Sequence, residues 1–129
     1  MPKISVDIMT ILVVDDEPMV QFLLSSLLQD EGHVVLIASN GCEALQLLEQ
    51  GPVDLLITDT HMPLLSGADL VRIVHQRYPA LPIVVMDSYP DAFVEDATAE
   101  GVFTTLVKPF DLSEVRQVLQ ALDEMRCAA

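Results

Sequence analysis

The sequence contains few basic residues. Lysine and arginine together number 6, against 20 aspartates and glutamates, and the formal net charge at pH 7 is −14. So large a negative charge repels the phosphate backbone of nucleic acids and the anionic surface of a membrane. Direct contact of this chain with nucleic acid or with a membrane is therefore not expected.

Cysteine and long apolar runs are also scarce. The two cysteines, Cys42 and Cys127, form neither a Cys-x-x-Cys pair nor a zinc pattern, so no disulfide framework or zinc site is predicted. No apolar run approaches the roughly 20 residues that a membrane-spanning helix needs. The N-terminus lacks an uninterrupted apolar core and a small-residue cleavage site, so no signal peptide is indicated and a cytoplasmic location is expected.

Hydrophobic residues, by contrast, make up 51% of the 129 residues, and charged residues make up 20%. Burial of this apolar surface can offset the entropy lost when the chain is ordered, so we expect a globular fold. The length suits one domain, because two halves would each be too small to bury a useful core.

Short apolar runs rich in valine and isoleucine alternate with segments of helical periodicity. The runs are continuous, which is typical of parallel strands covered on both faces. They begin at Ile11, Val34, Leu55, Ile83 and Leu106. Strands that alternate with helices predict an α/β fold, a doubly wound sheet of five parallel strands with helices on both faces.

Five helices are predicted between and after these strands. The first begins at Pro18 and ends before Gly32, and the last begins after Asp111, which has capping-box spacing with Glu114. The others cover 41–50, 66–78 and 90–100. The helix over 90–100 is expected to be marginal, because it has few large apolar residues and carries acidic residues in its C-terminal half.

Acidic side chains follow several of the predicted strands. Ligands of an open parallel sheet bind beyond the carboxyl ends of the strands, where this chain has Asp15-Asp16-Glu17, Asp59, Asp87 and Lys108. Two carboxylates about 4 Å apart repel each other by roughly 4 kcal/mol at an effective dielectric near 20, so such a cluster needs a cation. Mg²⁺ suits carboxylates and phosphate oxygens, and an aspartate can form an acyl phosphate. The edge therefore indicates phosphoryl transfer to a carboxylate.

The residues at these strand ends resemble the receiver domain of two-component response regulators. The resemblance rests on Asp15-Asp16, on Asp59 with Met62-Pro63 and Gly67 behind it, and on Lys108-Pro109-Phe110. It covers about residues 9–123, which leaves 1–8 as an N-terminal extension and 124–129 as a C-terminal tail. It implies a flavodoxin-like fold with strand order 2-1-3-4-5 and a phosphorylation-operated switch rather than an enzyme.

The same resemblance implies how the acidic residues act. Asp59 would accept a phosphoryl group from a histidine kinase or a phosphotransfer protein. Asp16, helped by Asp15, would bind Mg²⁺ together with Asp59 and the backbone carbonyl of His61. The side chain of His61 either influences the water that hydrolyses the acyl phosphate or is an exposed loop histidine.

The resemblance also implies a role for the lysine and a route for output. Lys108 would pair with Asp59 or with its phosphoryl oxygens, and the peptide bond between Lys108 and Pro109 would be cis. Output would pass through the face formed by the helix over 90–100, the fifth strand and the last helix. That face would bind a partner or a second copy of the chain in a homodimer.

Two positions depart from the family pattern. Receivers carry a threonine or serine hydroxyl after the fourth strand, where this chain has Asp87, which donates no hydrogen bond when ionised, followed by Ser88. Three residues before Lys108, where the family usually has tyrosine or phenylalanine, this chain has Thr105.

The departures leave several interpretations. The chain is phosphorylated and its output is altered, or Ser88 replaces the missing hydroxyl after a local shift of the strand end. Alternatively, the chain is a pseudo-receiver that binds partners without a phosphorylation cycle. An enzyme alternative is an Mg²⁺-dependent phosphohydrolase with an aspartate nucleophile.

Overall fold

The computed structural model describes residues 8–60, 62, 65–87, 102–108 and 110–128. These residues form five strands and four helices, which are β1 (Thr10–Val14), α1 (Pro18–Asp30), β2 (Val34–Ala38), α2 (Gly41–Gln50), β3 (Leu55–Asp59), α3 (Gly67–Arg77), β4 (Ile83–Asp87), β5 (Val102–Val107) and α4 (Leu112–Ala128). The predicted helix over 90–100 lies outside the described residues.

The five strands form one parallel sheet with the order β2-β1-β3-β4-β5. This order confirms the predicted fold. The chain passes from β2 at one edge to β3 on the other side of β1, so the winding direction changes between β1 and β3. Ligands of such sheets bind at this point, beyond the carboxyl ends of the strands.

The apolar runs of the central strands β1, β3 and β4 are continuous because these strands are buried on both faces, whereas the edge strands β2 and β5 are partly exposed. One core layer lies between the sheet and the helices α1 and α4, with Ile11, Ile57 and Met86 as strand members. The second lies between the sheet and the helices α2 and α3, with Leu12 and Leu56 among its strand members. Alternate residues of one strand therefore enter different layers.

The predicted limits of α1 and the predicted start of α4 are confirmed, but α4 continues to Ala128, through residues predicted as a C-terminal tail. Pro18 is in the first turn of α1, and Gly32, with a φ of 95°, lies just beyond its end. At the start of α4, the Glu114 backbone N–H donates to Asp111 Oδ1 at 2.9 Å, and the Asp111 N–H donates to Glu114 Oε1 at 3.2 Å. None of the helices in the described ranges combines the length and the apolar character that crossing a bilayer requires.

β5 is longer than its apolar run predicts. It begins at Val102, four residues before Leu106, and Phe103 forms a bulge because Ile83 pairs with Val102 while Val84 pairs with Thr104. The two threonines of this strand break the apolar run, although their branched side chains suit a sheet. Apolar content alone therefore underestimates this strand.

Candidate functional site

Three strands bring charged side chains together at the carboxyl edge of the sheet. Asp15 follows β1, Asp59 ends β3 and Lys108 follows β5. Lys108 Nζ lies 2.9 Å from Asp15 Oδ2 and 3.0 Å from Asp59 Oδ1. The side chain of Lys108 is 14% exposed, that of Asp15 is 0% exposed and that of Asp59 is 10% exposed. Little water therefore screens the contacts.

Hydrogen bonds from neighbouring elements fix the orientation of Asp15. Its backbone N–H donates to the carbonyl oxygen of Ala38 at the end of β2, at 3.1 Å. Its Oδ1 accepts from the backbone N–H of Glu17 at 2.8 Å, and its carbonyl oxygen accepts from Gln21 Nε2 at 2.6 Å. Glu17 also places Oε1 3.8 Å from Lys108 Nζ. The start of α1 therefore aims Asp15 at the lysine.

Asp16 completes a cluster of three acids with Asp15 and Asp59. One carboxylate oxygen of each lies within 4.8 Å of the others, and Asp16 is exposed while the other two are buried. Among the described residues, no other group of histidine, cysteine and acidic side chains has metal-binding spacing. Oxygen ligands open to solvent on one side fit a hard divalent cation that keeps part of its water shell.

Burial and neighbouring charges act in opposite directions on Asp59. Burial raises the pKa of its carboxyl group, and the negative charge of Asp15 raises it further. The hydrogen bond and charge of Lys108 lower this pKa, as does the backbone N–H of Thr60, but the net effect is a raised pKa. Burial therefore disfavours the ionised form of Asp59 more than the nearby lysine favours it.

Lys108 stays protonated in this environment. Burial by itself would lower the pKa of the ammonium group, but hydrogen bonds to Asp15 and Asp59 and the charges of both outweigh it. The pKa of Lys108 is raised as a result. The lysine is thus a fixed positive charge between two buried carboxylates.

The end of β3 packs closely against the start of α3. The Gly67 backbone N–H donates to the carbonyl oxygen of Thr60 at 2.9 Å. A Cβ atom on Gly67 would meet the carbonyl oxygen of Asp59 and lie 2.6 Å from Thr60 Cα. Glycine is therefore required here for the close approach, and this contact holds the backbone of Asp59 in place.

Two threonines flank Asp59, and the sequence did not single out either. The Thr58 hydroxyl donates to the carbonyl oxygen of Asp59 at 3.0 Å. The Thr60 side chain is also buried, but its Oγ1 has no hydrogen-bond partner, the single such side-chain atom within the described part of the chain. Their positions directly beside Asp59 were the signal that could have drawn attention to them.

The remaining predicted site residues are placed only in part. His61, Ser88 and Pro109 lie outside the described residues, so the carbonyl ligand, the substitute hydroxyl and the cis peptide bond stay predictions. The backbone of Asp87 ends β4 and pairs with Val107. Thr105 is partly buried in β5 and pairs with Val85.

Comparison with known proteins identifies the family. A family model described as the response regulator receiver domain matches residues 11–120. The chain belongs to the response regulator receiver family. Receivers are signalling modules of two-component systems, so the resemblance seen in the sequence is confirmed.

Curated relatives of this receiver are longer proteins. It is 35% identical over 112 residues to the transcriptional regulatory protein GlrR of Escherichia coli, an alignment that covers 84% of this chain and 25% of GlrR. It is 36% identical over 117 residues to the response regulator PilR of Pseudomonas aeruginosa, covering 89% of this chain and 26% of PilR. The receiver thus spans about a quarter of the length of these relatives.

Solved receiver structures share the fold. The chemotaxis response regulator CheY4 of Vibrio cholerae has a TM-score of 0.82 and 30% identity, with 89% of this chain and 98% of that chain covered. The response regulator TrrA of Thermotoga maritima, solved in complex with Mg²⁺-BeF, has a TM-score of 0.81 and 32% identity, with 89% and 99% covered.

Proposed function

We propose that this receiver accepts a phosphoryl group on Asp59 and thereby switches partner binding in two-component signal transduction. The observation that carries the proposal is the position of Lys108 Nζ, 3.0 Å from Asp59 and 2.9 Å from Asp15, at an edge that also holds Asp16. This arrangement combines a carboxylate nucleophile, a fixed cation and the ligands for a second cation.

The transfer forms a bond between a carboxylate oxygen of Asp59 and phosphorus. The bond between phosphorus and the histidine nitrogen of the donor breaks, and the nitrogen keeps the electron pair. Lys108 offsets the charge of Asp59 before the reaction and binds a phosphoryl oxygen after it. One equivalent of donor modifies one site, so this is a switch rather than a turnover enzyme.

Asp15, Asp16 and Asp59 are the side chains that would hold Mg²⁺, with the backbone carbonyl of His61 as the predicted further ligand. When bound, Mg²⁺ supplies positive charge that reduces the repulsion between the donor phosphate and the carboxylates. The complex of TrrA with Mg²⁺-BeF supports this part of the proposal.

The donor is a protein, a histidine kinase or a phosphotransfer protein, and α1 offers it a surface. Met19, Phe22 and Leu23 on this helix are 80%, 72% and 48% exposed. Large exposed apolar side chains grouped on one helix are typical of protein-binding surfaces. Because α1 starts directly after the acids, a protein bound there is close to Asp59. Phe22→Ala is then expected to slow transfer from a phosphohistidine protein but not from acetyl phosphate.

Asp87 and Thr105 change the output of the switch. An ionised Asp87 accepts hydrogen bonds but donates none, and a phosphoryl group brings a further charge of about −2 to the same edge. Thr105 is too small to act as the family's switch aromatic. The proposed output surface is still the face formed by 90–100, β5 and α4, which binds a partner or a second copy in a homodimer. The residues that couple phosphorylation to this face differ from those of the family. A cavity of about 410 Å³ between β5 and α4, lined in part by Phe103 and Val118, could receive a side chain of the partner.

Intact-mass measurement after incubation with acetyl phosphate and Mg²⁺ tests the proposal. One added phosphoryl group is expected on the native domain, dependent on Mg²⁺, and none is expected on Asp59→Asn. If only an Asp87→Thr variant gains mass, Asp87 has shut off the chemistry and the chain is a pseudo-receiver. Release of many equivalents of product would favour the phosphohydrolase. The cytoplasmic location and the domain limits at 9 and 123 stay predictions.

A further inference from the structure

Thr60 carries a buried hydroxyl that the fold leaves unused. The residue is 5% exposed, and its Oγ1 is the single buried side-chain oxygen or nitrogen without a hydrogen-bond partner among the described residues. A buried hydroxyl without a partner destabilises a fold, and native proteins contain few of them. Such an atom calls for an explanation, and one explanation is a ligand that is bound in another state.

The backbone of Thr60 lies next to the reacting carboxylate. Its N–H donates to the carbonyl oxygen of Met86 at 3.2 Å and also hydrogen-bonds the Asp59 carboxyl group. Covalent geometry keeps a threonine Oγ1 within about 4 Å of its own backbone nitrogen. The contact of Gly67 with Thr60 Cα fixes this stretch of backbone, so rotation about χ1 is the freedom that the hydroxyl retains.

The edge has few donors for a phosphoryl group. A phosphoryl group on Asp59 presents three acceptor oxygens, and Lys108 is the one cationic side chain within salt-bridge distance of Asp59 in the described part of the chain. Asp59 pairs with Met86 at the end of the recorded register between β3 and β4, and the next residues of the two segments are Thr60 and Asp87. The residue that follows Met86 is an acid, which donates no hydrogen bond when ionised.

We infer that the Thr60 hydroxyl donates a hydrogen bond to the phosphoryl oxygens when Asp59 is phosphorylated. It would replace the donor hydroxyl that other receivers carry after the fourth strand, where this chain has Asp87. The inference rests on the proposed phosphorylation of Asp59 and adds a residue to that site. An unpaired hydroxyl that serves the phosphorylated state lowers the stability of the unphosphorylated state. Its removal should therefore affect the two states in opposite directions.

The test compares Thr60→Val, which removes the hydroxyl at nearly constant shape, with Thr60→Ser, which keeps it. Affinity for beryllium fluoride in the presence of Mg²⁺ and the lifetime of the acyl phosphate report the phosphorylated state. Both are expected to fall about tenfold in Thr60→Val, the effect of one hydrogen bond to a charged group, and to stay within about twofold of native in Thr60→Ser.

Thermal unfolding of the unphosphorylated domain supplies the second readout. Thr60→Val is expected to raise the Tm by about 3 °C, since it removes an unpaired buried group. Thr58→Val is the matched control and should lower the Tm, because the Thr58 hydroxyl has a partner. If the role of Thr60 were purely structural, Thr60→Val would lower the Tm as Thr58→Val does.

The outcomes separate this inference from the proposed function. If the native domain binds beryllium fluoride and gains a phosphoryl group, but Thr60→Val matches it in both, the inference is wrong and the proposed function stands. A lower Tm for Thr60→Val would overturn the inference in the same way. If the native domain neither binds beryllium fluoride nor gains mass, both are wrong.

Discussion

Replacing Lys108 by methionine should destabilise the domain strongly when no divalent cation is present. The substitution keeps most of the side-chain volume and removes the charge between two carboxylates that are 0% and 10% exposed. Removal of one partner from a buried ion pair typically costs about 3–5 kcal/mol, since the remaining charges are left without compensation. Repulsion alone is of this size, because the acids lie within 4.8 Å of one another and two carboxylates at that limit repel by roughly 3.5 kcal/mol at an effective dielectric of 20.

Urea unfolding followed by circular dichroism measures this loss at constant pH. Arg72→Met is the matched control, because it removes the same charge from an exposed pair in which Arg72 and Asp69 are 60% and 50% exposed. Its effect should be much smaller, since exposed pairs contribute little. A loss of less than about 1 kcal/mol for Lys108→Met, or a loss equal to that of Arg72→Met, would refute the account of the site.

The same variant should respond to acid and to Mg²⁺. Without the lysine the pKa of Asp59 rises further, so the native state binds a proton more readily than the unfolded state does. Stability lost at neutral pH should then return in part as the pH falls toward the ordinary value of 3.8. Mg²⁺ should also restore stability, by about 2.7 kcal/mol at a concentration of 100 times its Kd.

Three further predictions concern the neighbouring residues. Gly67→Ala should lower the free energy of unfolding in urea by about 1–3 kcal/mol, because the added Cβ meets backbone atoms. Gly51→Ala, where an added Cβ has nothing within 4 Å, should be neutral, and equal effects would contradict the packing at Gly67. Asp59→Asn should raise the Tm at neutral pH without Mg²⁺, and its advantage over native should shrink as the pH falls toward 3.8; a constant advantage would rule out the raised pKa. Asp16→Asn should leave the Tm without Mg²⁺ nearly unchanged but reduce the stabilisation by Mg²⁺, as measured by titration, because Asp16 is an exposed member of the cluster.

The sheet and the convergence of charges could be predicted because each follows from a local rule. Continuous apolar runs indicate parallel strands, and the carboxyl ends of parallel strands share one edge, so residues far apart in sequence were expected together. Asp15, Asp59 and Lys108 meet there as expected. The sequence pattern also identified the capping box at Asp111 and Glu114, since both partners lie within four residues of each other.

The parts that escaped prediction depend on the surroundings of a residue. Nothing in the sequence distinguishes Thr58, whose hydroxyl has a partner, from Thr60, whose hydroxyl has none. The bulge at Phe103 depends on the register between β4 and β5, which no local pattern records. The need for glycine at position 67 likewise follows from the approach of a helix to a strand end.

The contact between Lys108 and Asp15 joins residues that are 93 positions apart in the chain. During synthesis both buried acids leave the ribosome long before the lysine does, so a nascent chain carries the acids of the site without their cation. Contacts of such long range form only after a large loop has closed, and the site is complete only when β5 has joined the sheet. The phosphoryl acceptance proposed for Asp59 would therefore report that β5 has joined the sheet.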